Sequence, residues 1–65
     1  MSDKISIGDV VVSKTAIYAD KRTWPAGRIG TVLSRKNDTL VCKVFSTCRL
    51  VAGDYKVDVT QVRRF

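Results

Sequence analysis

Leu40, Cys42 and Val44 alternate with Val41, Lys43 and Phe45. A period of two marks a strand with one face in a core. The same period returns in Tyr55-Lys56-Val57-Asp58-Val59, with Tyr55, Val57 and Val59 on the core face. Val10-Val11-Val12 follows Gly8-Asp9 and reads as a first strand, over about residues 8–14. A second strand starts at Gly27 or Arg28 and runs to about Arg35. Lys36-Asn37-Asp38 then turns the chain into the strand from Thr39 to Phe45, which makes the pair a hairpin. Ser46-Thr47 turns again, and Cys48 to Val51 reads as a short strand or the beginning of one. Ala52-Gly53-Asp54 is a further turn, Thr60-Gln61 can form a single helical turn, and Val62 to Phe65 is the last strand. Residues 15–26 lack alternation and read as a long surface loop, since the residue before Pro25 is pushed towards extended geometry. No window carries apolar residues at helical spacing over a useful length. The pattern predicts an all-β domain over residues 1–65, a small barrel of five or six short antiparallel strands.

Composition narrows the class. No apolar run approaches the ~20 residues of a membrane helix, and Met1-Ser2-Asp3-Lys4 lacks the basic start and apolar core of a signal peptide. A cytoplasmic chain is expected, with no membrane partner. Cys42 and Cys48 form no CxxC pair, and there is no His to complete a zinc site. The favoured reading is two reduced thiols, at least one of them a small core residue; the alternative is a disulfide closing residues 43–47.

Catalysis has little to stand on. The chain has no His, and all six of its acids are Asp, so the commonest acid–base groups are missing. The serines lack a His partner, and neither cysteine has an evident base. An enzyme is not expected, nor a cofactor, a metal or a small-molecule substrate.

The charge carries more information. Twelve Lys/Arg against six Asp give a net +6. Residues 14–36 hold Lys14, Lys21, Arg22, Arg28, Arg35 and Lys36 against Asp20 alone, so the excess is concentrated there. A basic surface of this kind raises the rate of encounter with nucleic acid or another polyanion, and also serves solubility.

Gly8-Asp9-Val10-Val11-Val12, then Gly27-Arg28-Ile29-Gly30-Thr31-Val32, then Leu40-Val41-Cys42-Lys43-Val44 form a Gly-Asp strand opening, a Gly-x-x-Gly-x-Val signature and a following strand. This layout resembles the KOW family of small SH3-like β-barrels over about residues 7–45. It departs from that pattern in a longer Thr15 to Ala26 loop and in Cys48 to Asp54, which has no clear counterpart. The resemblance implies contact with RNA, DNA or RNA polymerase through loops beside the motif, as in ribosomal proteins and NusG-type transcription factors, and hence a part in transcription or its regulation, or in translation.

The candidate nucleic-acid-binding residues are Tyr18, Lys21, Arg22, Trp24, Arg28, Arg35, Lys36, Lys43, Arg49 and Arg64. Lysine and arginine suit phosphates; tyrosine and tryptophan offer faces to unpaired bases. Against this, Trp24 can serve as a lid on the core and the charges as a solvated face. The two glycines read mainly as backbone geometry, with Gly27 at positive φ and Gly30 relieving crowding in a bent strand. The expected partner is DNA or RNA. The alternative is a protein-interaction module, a phage-encoded or host regulator docking on an acidic protein surface such as a polymerase or a nucleic-acid-binding enzyme.

Overall fold

The computed structural model describes residues 4–65, so the Met1-Ser2-Asp3 start lies outside it. The valine-rich runs form strands: β1 (Val10–Ser13), β2 (Ile17–Ala19), β3 (Arg22–Trp24), β4 (Ile29–Lys36), β5 (Thr39–Val44), β6 (Gly53–Asp58) and β7 (Val62–Arg64). β-Branched side chains are stiff and pack well on a pleated surface, which favours strand over helix here. Five strands make one antiparallel sheet in the order β6-β5-β4-β1-β7, while β2 and β3 pair separately. The chain is therefore all-β, as its periodicity predicts. The ladder does not close into a barrel, because β6 and β7 remain the edges of the sheet. The strand count is higher than expected because residues 15–26 are not a plain loop but contain the β2–β3 hairpin.

Alternation sets the core. Leu40, Cys42 and Val44 of β5 face Val57, Tyr55 and Gly53 of β6 across the ladder, and all but Gly53 are buried. On β4, Leu33 is the extra residue of a bulge between Val32 and Ser34. It places Val32 inside and Ser34 outside, and a bulge increases local twist. β4 is thus shared, with Ile29 to Thr31 on β1 and Thr31 to Lys36 on β5. The three valines of β1 divide. Val11 lies in the core; Val12 is buried outside that cluster, flanked across the ladder by Ile29 and Arg63. Val10 is exposed.

Turns follow their residues. Asn37 takes the left-handed conformation (φ 55°) between Lys36 and Thr39, as Asn readily does. The helical turn expected at Thr60-Gln61 is a 3-10 turn over Val59–Gln61. Asp58 Oδ1 accepts from the Thr60 amide at 3.0 Å, and Gln61 Oε1 accepts from the Asp58 amide at 2.9 Å, a reciprocal cap. Val59 therefore leaves the strand and packs half-buried against the core.

Two boundaries differ from the sequence expectation. Cys48 to Val51 is a turn, since the amides of Val51 and Ala52 both donate to the Cys48 carbonyl (3.0 and 2.9 Å). β6 instead begins at Gly53, whose φ of 141° few other residues adopt. The Tyr55 hydroxyl donates to the Val51 carbonyl and holds the turn against the core.

Both cysteines are free, Cys42 buried and Cys48 exposed, so the 43–47 loop is not closed by a disulfide. Burial raises the Cys42 thiol from 9.0 to about 11. Iodoacetamide should modify the native protein once, at Cys48, and twice after denaturation; prompt double labelling of folded protein would contradict this core. Because the folded-state value is raised, the stability contributed by the neutral thiol is complete below about pH 9 and is lost as pH rises through about 11. Tyr55, also raised by burial, acts in the same direction at higher pH. Denaturation midpoints measured against pH should fall more steeply for wild type than for Cys42→Ala between those values. Parallel profiles would exclude Cys42 as the source.

Candidate nucleic-acid interface

Hairpin β2–β3 is positioned by its inward pair, Ile17 and Trp24, both buried in the main core. The Trp24 indole is 0% exposed. Its Nε1 donates to the Arg28 carbonyl at 2.7 Å, and the Ser13 amide donates to the same oxygen at 3.3 Å. The far edge of the indole lies over Gly30: a Cβ there would come 3.0 Å from Trp24 Cζ2 and 3.2 Å from the Lys43 carbonyl. Gly27, at φ +84°, makes the preceding turn and donates to the Ser13 carbonyl at 2.9 Å. Both glycines thus serve backbone geometry. Trp24 is a core residue and offers no face on which a base could stack, which corrects its assignment as a stacking or wedging residue.

Arg22 is also committed. One guanidinium nitrogen donates to the Asp54 carbonyl at 2.8 Å, and its carbon lies 5.4 Å from the Tyr55 ring centroid. The side chain runs so close to Gly53 that a Cβ there would sit 2.6 Å from Arg22 Nε. That nitrogen is buried without a hydrogen-bond partner. Tyr55 in turn meets Trp24, ring centroids 5.7 Å apart and tilted by 49°. Arg22, Tyr55, Trp24 and Gly30 form one packed column, so Arg22 is a tie between hairpin and sheet and not a free phosphate ligand. Arg35 is a second tie, donating to the carbonyls of Ile5 (2.7 Å) and Asn37 (2.9 Å). It holds Ile5, which is buried, over the core.

The outward face of the hairpin differs in character. Tyr18 is 79% exposed and stands opposite Thr23. The Thr23 amide donates to the Leu50 carbonyl at 2.7 Å, which brings residues 45–52 against the hairpin. Lys21, left-handed at φ 61°, forms the hairpin tip. Arg49 precedes Leu50, and both are exposed. On the other side of this loop, Arg28 donates to the Phe45 carbonyl at 3.0 Å, and Lys43 Nζ lies 5.4 Å from the Phe45 ring centroid. Phe45 is 67% exposed.

The hairpin carries Tyr18 and Lys21, the loop held against it carries Arg49 and exposed Leu50, and Arg28 and Lys43 meet exposed Phe45 at the start of that loop. Two predicted residues lie elsewhere. Lys36 flanks the turn at the far end of the β4–β5 hairpin, and Arg64 sits on edge strand β7, its Nε 4.0 Å from Asp9 Oδ2. Phe45 was missed by the sequence reading, although its outward phase with Val41 and Lys43 places an aromatic on the polar face.

Asp9–Arg64 is the only ion pair among the described residues. Acids are instead spent on the backbone: Asp9 accepts from the Ser6 amide (2.9 Å) and Asp58 caps the 3-10 turn. No three His, Cys, Asp or Glu side chains gather to hold a metal among the described residues. Chemically, the surface offers cations without acid partners and two exposed aromatic rings, one of them covered on one face by Lys43. No family model, curated protein or solved structure matches the chain.

Arg22→Ala should lower the unfolding free energy by about 1.5–3 kcal/mol, the range for losing a charged hydrogen bond, with loss of the packed stem acting in the same direction. Lys21→Ala and Tyr18→Ala should stay within about 0.5 kcal/mol of wild type. Urea denaturation of the three variants decides this. Equal effects at Arg22 and Lys21 would refute the division into tie and free cation.

Proposed function

We propose that the chain binds single-stranded nucleic acid through the surface formed by the β2–β3 tip and residues 45–52. The observation that carries this reading is the pairing of exposed aromatics with cations that have no acid partner: Tyr18 on the hairpin whose tip is Lys21, and Phe45 beneath Lys43, with Arg28 tied to the Phe45 carbonyl. Phosphates are neutralised by such side chains, and bases stack on open rings whatever their sequence. Arg49, on the same loop, adds a further phosphate contact. The resemblance of Gly8-Asp9 and Gly27 to Val32 to KOW domains points in the same direction, towards a part in transcription or translation. On this reading Trp24, Arg22 and Arg35 hold the scaffold and touch no nucleotide.

Three cations not tied to a backbone carbonyl, Lys21, Lys43 and Arg49, imply a log–log salt slope of about −2 for a single strand. Arg49→Ala should reduce its magnitude by about 0.7 and weaken binding to every sequence alike. Tyr18→Ala should cost about 1–3 kcal/mol and leave the slope unchanged. Fluorescence anisotropy with labelled single-stranded DNA and RNA, titrated with salt, measures both. Absence of binding at low salt, or binding indifferent to salt, sinks the proposal. A pull-down whose captured protein survives nuclease treatment would instead favour a module that docks on an acidic protein.

A further inference from the structure

The outer face of β4, β5 and β6 carries a second feature, at the opposite end of β5 from Phe45. Ser34, Val41 and Lys56 stand in one row across the three strands, and Lys36 and Thr39 stand in the next. With Asn37 they line an open groove of about 410 Å³. Its floor is Val41, which is half-buried although it points away from the core. Two lysines, two hydroxyl side chains and an asparagine amide line it.

Two carboxylates at the rim keep their charge, but neither is within ion-pair distance of a groove lysine. Asp58 lies across from Thr39, but its Oδ1 is occupied by the Thr60 amide and hydroxyl at 3.0 and 3.1 Å. Asp38 follows Asn37 in the turn, and neither lysine forms an ion pair among the described residues. A carboxylate ligand has two oxygens to offer. A phosphate has more, and matches a site whose donors approach from three strands, with lysine acting as a point charge.

We infer that the groove lined by Ser34, Lys36, Asn37, Thr39, Val41 and Lys56 is a phosphate-binding site separate from the Tyr18–Phe45 surface. Val41 and Phe45 are four residues apart on an extended strand, about 13 Å, so one nucleic-acid strand can reach both places. The phosphate belongs either to such a strand or to a free phosphorylated molecule. The site itself does not rest on the proposed function.

The test is a titration of ¹⁵N-labelled protein, followed by amide chemical shifts. One arm uses inorganic pyrophosphate, the other a single-stranded oligonucleotide of about eight residues, within the usual site size. Pyrophosphate should saturably shift the amides of Ser34, Asn37, Val41 and Lys56 and leave Tyr18 and Phe45 in place. The double variant Lys36→Ala/Lys56→Ala, with its spectrum still dispersed, should bind pyrophosphate about tenfold more weakly or worse, equivalent to 1.4 kcal/mol or more. An oligonucleotide that shifts these same amides and competes with pyrophosphate identifies a strand as the source. Pyrophosphate binding without oligonucleotide binding identifies a small phosphorylated molecule, and refutes the proposed function while supporting the site. No saturable shift with pyrophosphate, or equal affinity in the double variant, overturns the site whether or not the oligonucleotide binds at Tyr18.

Discussion

The contact between the Trp24 indole and Gly30 is the constraint on which the rest of the structure depends. The indole packs directly over position 30, where a Cβ would lie 3.0 Å from the ring and would force it or the backbone to shift. Once there, its N–H finds the Arg28 carbonyl, which also accepts from Ser13. That one oxygen joins β1, the β2–β3 hairpin and the entry to β4. Full burial of a Trp removes roughly 150–250 Å² from water, on the order of 4–6 kcal/mol before entropy is charged. In a domain this small, where net stability sits at the low end of the usual 5–15 kcal/mol range, one side chain carries much of the margin.

The proposed surface is a consequence of that anchoring. With Ile17 and Trp24 inside, alternation forces Tyr18 and Thr23 to the other face of the hairpin. Thr23 then holds Leu50, and Arg22 crosses Gly53 to reach Asp54 and the Tyr55 ring. Glycine thus appears twice where a side chain from the hairpin must pass against the sheet, Gly30 under Trp24 and Gly53 under Arg22. The two contacts fix the hairpin to both halves of the fold. They leave Lys21, Tyr18 and Arg49 projecting without ordering partners of their own.

Much of the fold was legible because a period of two is a strong signal. Thr39 to Val44 and the strand through Tyr55 and Val57 were readable from alternation, and the turn at Lys36 to Asp38 from its Asn and Asp. The β2–β3 hairpin was not. Its strands are three residues each, too short for a period to show, and its turn at Asp20-Lys21 lacks the glycine that usually marks one. Within the candidate site, residue type marks the cations but not their employment. Arg22, Arg35 and Lys21 look alike in sequence; only the backbone carbonyls that the first two reach, from Asp54, Ile5 and Asn37, set them apart. Trp24 and Tyr18 look equally like stacking residues until cross-strand register sends one inward and the other outward.

The most direct test of this account is a double-mutant cycle between positions 24 and 30, read as unfolding free energy in urea. Gly30→Ala alone should destabilise by about 1–3 kcal/mol, the usual cost of overpacking. In a Trp24→Leu background, where no indole overlies position 30, the same substitution should cost at least about 1 kcal/mol less. Additive costs, or a neutral Gly30→Ala in the wild-type background, would contradict the claim that this contact organises the fold.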